Sequence, residues 1–223
     1  LLGTQPQLPP DQARARVLDE FTDQLLLAQA AAQAGFVVDD ATLGVRTNAL
    51  VEQIGGQEAL NVWLSANGYT QEIFQLELRR AIAAAWMRDQ IVSEVPIRAE
   101  QVRVRQLLLF SVTEANDVYT QLQSGVSFEV MLAYYDSVSL GDLGWFPRGY
   151  LTETAIEEAA FALEPGTFSQ VIETRLGFHI IQLLEKQPDQ LLAPDVRLTL
   201  QEKALLAWLE QQRTVSDITV LIP

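Results

Sequence analysis

Residues 102–110 read VRVRQLLLF, and at this point the hydrophobic period of the chain changes. Val102 and Val104 alternate with Arg103 and Arg105, the period-two pattern of a half-buried β-strand. Everything on the N-terminal side repeats at steps of three and four instead. Leu18, Phe21, Leu25 and Ala28 share one face of a segment 12–34 that opens at Asp11 and stops at Gly35. Those are the marks of an amphipathic helix with a capping side chain and a terminating glycine. A second helix restarts with Asp39 or Asp40 as cap, carries Leu43, Leu50 and Ile54, and halts at Gly55–Gly56; a short third closes at Gly68. Thr70 caps a long fourth helix with the stripe Phe74, Leu78, Ile82, Ala85 and Trp86. Pro96 follows its end, where proline cannot continue a helix. Residues 1–10, with three prolines, make a loose lead-in.

On the C-terminal side of the strand the elements alternate. A helix runs from a Thr113 cap to Gly125, and a second opens at Ser127. The loop DSVSLGDLGWFPRG at 136–149 ends in a short strand, and TETAIEEAAFAL at 152–163 is a third helix. TFSQVIET at 167–174 and GFHIIQLLE at 177–185 read as two further strands, the second fully buried. The order β-α-α-β-α-β-β makes this region an α+β layer. Residues 188–195, with two prolines, read as a linker. The helix that follows puts Leu198, Leu205, Trp208 and Leu209 on one side, and an alternating tail of Ile218, Val220 and Ile222 closes the chain. A lone helix of this length is marginal in water, so its stripe is expected to pack on the helices of 11–95. That places the β-containing region as an insertion into a helical lobe, with divisions at 1–98, 99–187 and 188–223.

Composition removes several function classes. With 223 residues there is ample chain for a core. The net charge of −14 disfavours phosphate backbones and anionic lipid surfaces as partners. Cysteine is absent and histidine occurs once, which excludes disulfides, thiolate chemistry and histidine-rich zinc sites. No run of about 18 apolar residues is long enough to span a membrane. The chain begins at Leu1 rather than methionine, as expected of a mature or trimmed fragment, so the absence of a signal segment or lipid anchor from this stretch is uninformative.

Few residues are equipped for chemistry. No phosphate-cradling glycine loop occurs. Glu157 and Glu158 are neighbours on a helix, and such neighbours point apart, which argues against a glycosidase pair. Asp136, Ser137 and His179 lack the nucleophile-elbow context of a hydrolytic triad. The lone His179 sits in RLGFHIIQL at 175–183; it is either a core residue with a satisfied ring or part of a site.

What remains is a pattern spread over 101–186: Phe128 with Leu132–Ala133, GDLGWFPRG at 141–149, EEAAF at 157–161, and PGTFSQVIETRLGFHII at 165–181. In this order and spacing the region resembles the parvulin (rotamase) family of peptidyl-prolyl isomerases. The resemblance implies a four-stranded antiparallel sheet with helices. The flanks, through LLLAQAAAQAGFVVDDATL and LELRRAIAAAW, resemble the helical lobe of exported SurA/PrsA-type chaperones and foldases, to which a C-terminal helix often returns.

The resemblance also implies a site. The family's first-strand histidine falls on Gln106 and its second on His179, while the polar group above the peptide bond falls on Ser139, with Ser137 or Asp136 as substitutes in a shortened loop. The apolar proline slot falls on Leu143, Leu151 and Ile156, and Thr174 takes the position that supports the histidine pair. Leu140 stands where the family has the first glycine of GGDLG. Such a site needs no metal or cofactor. The partners implied are unfolded or proline-containing polypeptides, with no nucleic acid, no integral membrane segment in this stretch, and an oligomeric state that includes a homodimer among its options. The function implied is a foldase acting on exported proteins in the periplasm or outside the cell, with weak turnover because Gln106 and Ser139 replace stronger groups. The alternatives are a chaperone whose parvulin domain only binds peptide, and a cytoplasmic trigger-type folding helper.

Overall fold

The structure is a computed structural model that describes residues 9–136, 138 and 140–219. Two compact units emerge: residues up to Glu94 together with those from Gln201 onward, and Val95–Leu200.

The first unit holds α1 (Pro10–Gln33), α2 (Asp40–Gln53), α3 (Gln57–Ala66), α4 (Gln71–Ser93) and the C-terminal part of α8 (Pro194–Val215). Asp39 accepts the Thr42 N–H at 2.7 Å and Thr70 the Ile73 N–H at 3.2 Å, each using an otherwise orphaned donor of a first turn. The expected Asp11 cap is corrected: Pro9 is the capping residue and Asp11 lies inside the first turn, because the fixed φ of proline suits the first helical position. Leu27, Ala84, Ile91 and Leu209 form the core of this unit, with Met87, Leu205 and Trp208 packed around them. Arg213 of α8 ties the same helix to Asp23 of α1 at 2.6 Å. Leu198, expected in the stripe, is 56% exposed; it precedes the part of α8 that joins this core.

The second unit runs β1 (Arg98–Leu109), α5 (Val112–Gln123), α6 (Phe128–Tyr135), β2 (Asp142–Pro147), α7 (Thr154–Ala162), β3 (Ile172–Thr174) and β4 (Gly177–Leu191). The sheet is antiparallel in the order β2-β1-β4-β3. Alternate residues of β1 face opposite sides. Leu107 and Leu109, with Ile180 of β4, are buried under α5 and α6. Val102 and Val104, with Ile181 and Leu183, are buried against Phe146 and α7.

Three local expectations need correction. Ser111, not Thr113, caps α5, accepting the Glu114 N–H. The strand expected over 167–174 is reduced to Ile172–Thr174 and a single bridge at Phe168. Between them the Ser169 hydroxyl, rather than a carbonyl, accepts the Ile181 N–H at 3.0 Å, which interrupts the ladder. The expected linker 188–195 is strand as far as Leu191, paired with Arg98. Pro188 is tolerated because it falls where the register slips between Ala99 and Gln101, so no ladder bond needs its missing N–H.

Candidate functional site

Register places the two polar residues of the sheet. Gln106 of β1 stands opposite Ile181, and His179 of β4 stands opposite Leu108. Both therefore lie on the α7 face as diagonal neighbours. His179 Nδ1 is 3.0 Å from Gln106 Oε1, and His179 Nε2 is 2.8 Å from Thr174 Oγ1. Thr174 ends β3, where its hydroxyl also accepts the Leu176 N–H at 3.1 Å and lies 3.3 Å from the Gly177 carbonyl. This turn requires Gly177: its φ is +140° and a Cβ there would stand 2.6 Å from the Leu109 carbonyl oxygen.

His179 is 1% exposed, and both ring nitrogens have partners. Burial pushes its pKa below the ordinary histidine value, with the Glu153 carboxylate acting in the opposite direction. The ring is accordingly neutral at pH 7, with one nitrogen donating and the other accepting. If Thr174 donates to Nε2, then Nδ1–H donates to the Gln106 oxygen. If Thr174 donates to the Gly177 carbonyl instead, Nε2–H donates to its hydroxyl, and Gln106 must turn its NH₂ toward Nδ1. Both arrangements are complete, because an amide carries a donor and an acceptor at one end.

Beside this chain lies an apolar wall. Leu143 of β2 and Leu151 of the loop before α7 are half-buried against the core formed by Ile156, Phe146 and Ile181. Ile156 is itself buried, at 5% exposure, so it supports the wall from beneath. Glu157 holds the loop: its carboxylate accepts the Gly149 N–H at 2.7 Å and the Leu151 N–H at 3.0 Å. The acid dismissed as half of a glycosidase pair is thus a clamp, a role visible only once the loop folds back on α7.

A cleft of about 290 Å³ joins Gln106 and Leu143. Leu108, Phe110, Tyr135, Asp136 and Asp142 complete its sides, and Gly141 lines it from the loop. Asp136 accepts the Gly141 N–H at 3.0 Å, and Gly141 in turn accepts the Gln106 N–H at 2.9 Å. No side chain fits at Gly141, since a Cβ would stand 2.0 Å from the Gln106 carbonyl oxygen. Leu140 beside it takes φ +50°, the left-handed region that the glycine of the related pattern would adopt without strain.

Ser139 and Ser137 lie outside the described residues. Asp136, held as a substitute for Ser139, is the loop residue that lines the cleft with Gln106. Gln106, His179 and Thr174 come together as one hydrogen-bonded chain, and Leu143, Leu151 and Ile156 as one apolar cluster. Gln106 and Leu143 are the two that meet in the cleft. Reading the sequence missed Glu153, Glu157, Phe110 and Tyr135; Phe110 carried a signal, as a large aromatic ending an apolar strand.

Residues 111–185 match the rotamase family, described as a PPIC-type PPIASE domain. The chain is 27% identical over 221 residues to the chaperone SurA of Methylobacillus flagellatus, covering 81% of this chain and 49% of that protein. It is 26% identical over 182 residues to the foldase protein PrsA of Geobacillus kaustophilus, covering 77% of this chain and 62% of that one. The chain therefore spans about half of the first relative's length and less than two thirds of the second's. Its fold resembles that of the peptidylprolyl isomerase PrsA from Bacillus cereus, with a TM-score of 0.61 over 99% of this chain and 93% of that one at 17% identity, a likeness of fold alone. The sheet order, the Gln106–His179–Thr174 chain and the glycine-bounded β2 segment at 141–149 fall within or beside the matched segment, and residues 111–185 are a PPIC-type rotamase domain in a chain similar to the SurA chaperones and PrsA foldases.

Proposed function

We propose that the chain is a peptidyl-prolyl cis–trans isomerase that assists the folding of exported proteins, acting on unfolded or proline-containing polypeptides. One observation carries the reading: a hydrogen-bonded Gln106–His179–Thr174 chain, in which His179 is buried with both ring nitrogens partnered, beside an apolar wall and an open cleft.

Rotation about an X–Pro bond breaks no covalent bond and meets a barrier of about 18–20 kcal/mol, which comes from amide resonance. Resonance places negative charge on the carbonyl oxygen. The wall of Leu143 and Leu151 offers the proline ring an apolar seat. A dry seat and the carboxylate of Asp136 in the cleft both disfavour the charge-separated planar amide, so they act on the barrier rather than on binding alone. His179, being buried, serves as a positioning residue: it fixes the Gln106 amide, which presents a donor and an acceptor to the twisted bond. Gln106 cannot change charge near neutral pH as an imidazole can, which is consistent with weak turnover.

The helical unit is the proposed client-holding part, and export is proposed for the chain on the strength of its likeness to the SurA and PrsA proteins. Among the described residues no helix is long and apolar enough to cross a membrane. The test is the refolding of a denatured protein whose slow phase is limited by proline isomerisation. Substoichiometric chain should shorten that phase; an unchanged slow phase at equimolar chain would reject the isomerase reading.

A further inference from the structure

We infer that Thr174 sets the polarity of the site: its hydroxyl donates to His179 Nε2, His179 Nδ1–H donates to Gln106 Oε1, and the Gln106 NH₂ is left to meet the X–Pro bond as a hydrogen-bond donor. The inference rests on the isomerase reading and narrows what the Gln106 amide presents to substrate. Distances choose between the two complete arrangements of the chain. A hydroxyl has one proton to give. Thr174 Oγ1 already accepts the Leu176 N–H at 3.1 Å, and its own proton can go to His179 Nε2 at 2.8 Å or to the Gly177 carbonyl at 3.3 Å. An O–H···O bond spans about 2.5–3.0 Å, so the carbonyl is too distant and the imidazole is well placed.

The rest follows along the chain. With Nε2 accepting, the single proton of the neutral ring sits on Nδ1, since the bond made by one ring nitrogen fixes the state of the other. Nδ1–H needs an acceptor, and the oxygen end of the Gln106 amide supplies it at 3.0 Å. The NH₂ end is left over. Among the described residues the bond to His179 is the only side-chain hydrogen bond of Gln106, and the residue lines the cleft. A donor there can act on the barrier. As the X–Pro bond twists, amide resonance is lost and the lone pair localises on the prolyl nitrogen. A donor aimed at that nitrogen bonds more strongly in the twisted state than in the planar one, whereas a donor aimed at the carbonyl oxygen would favour the planar state. Thr174 reaches the bond only through His179 and is a positioning residue.

The single histidine makes the test direct. In ¹⁵N spectra of the whole chain at neutral pH, His179 Nδ1 should be the protonated nitrogen and Nε2 the bare one. Thr174→Ser, which keeps the hydroxyl, should keep that pattern and the parent's turnover. Thr174→Val, checked for a native spectrum, should move the proton toward Nε2 and lower kcat for a proline tetrapeptide roughly tenfold, the worth of one hydrogen bond, with KM little changed. The side-chain NH₂ signal of Gln106 should shift as the peptide is added. A proton on Nε2 in the parent, or the parent's tautomer retained in Thr174→Val, overturns the inference while leaving isomerase activity standing. So does a Gln106 NH₂ signal that stays fixed with a peptide the chain turns over. An Nδ1–H ring and a shifting Gln106 signal without turnover support the assigned polarity and reject the isomerase reading. Neither binding nor turnover rejects both.

Discussion

Thr174→Val keeps the shape of the side chain and removes one oxygen. That oxygen serves the His179 ring at 2.8 Å and the Leu176 N–H at 3.1 Å. Leu176 is exposed, so its N–H can turn to water at little cost. The Nε2 of His179 cannot, because the residue is 1% exposed. A buried polar group without a partner costs about 1–3 kcal/mol, and the added methyl recovers little at a half-buried position. The expected loss is therefore about 1–3 kcal/mol, or roughly 1 M in the urea midpoint for a domain of this size. Thr174→Ser retains the hydroxyl and should lose less than half as much. Since the chain has one histidine, ¹⁵N-labelled imidazole gives a single pair of resonances, and Thr174→Val should shift the balance between its two neutral tautomers. A loss below about 0.5 kcal/mol, equal losses in the Ser and Val variants, or unchanged imidazole shifts would refute the claim that Thr174 fixes the ring.

Three further outcomes follow from the same geometry. His179 has its pKa lowered by burial, with Glu153 opposing, so the unfolded chain binds its proton first as pH falls. Its contribution is intact above the ordinary value of about 6.5, declines as pH drops through 6.5 toward the lowered folded value, and changes no further below that; urea titrations of parent and His179→Gln at pH 7.5 and 5 should differ in this sense, and a parent that gains stability relative to the variant on acidification contradicts it. Leu140→Gly should raise stability by roughly 0.5–1 kcal/mol, since relief of about 1–2 kcal/mol of left-handed strain exceeds the entropic cost of glycine, and Leu140 is exposed enough to lose little packing; a thermal midpoint lower than the parent's counts against strain at that φ. Glu157→Ala should release the loop at Gly149 and Leu151, costing about 1–3 kcal/mol and raising KM for proline peptides more than it lowers kcat, as steady-state kinetics would show; an unchanged KM would mean that the clamp does not shape the apolar wall.

The order of elements was legible because the signals were local. Glycines at 35, 55, 68 and 125 and capping side chains at Asp39, Thr70 and Ser127 mark helix ends with no help from distant residues. What escaped depended on pairing. β4 outruns its apolar run because Gln190 and Leu191 pair with β1 while their side chains stay polar or exposed. Leu198 matched a helical stripe, yet only the later turns of α8 reach the core of the first unit. At the site, Gln106 and His179 could be matched to the related pattern by position, but their facing one another follows from a register set by slips at Arg103 and Val104. Asp136 and Glu157 have roles in the structure that depend on loops folding back, which no periodicity records.

The central claim is that a Gln106 amide held by a neutral, buried His179 suffices, with its apolar wall, to speed X–Pro rotation. The most direct measurement is NMR exchange between the cis and trans forms of a proline tetrapeptide in the presence of the whole chain, its Gln106→His and His179→Ala variants, and no protein. The account predicts exchange above the uncatalysed rate in the parent, faster exchange in Gln106→His, and about tenfold slower catalysis in His179→Ala, the loss expected from one well-placed hydrogen bond. Exchange at the uncatalysed rate in both the parent and Gln106→His would contradict it and leave a domain that binds proline peptides without turning them over.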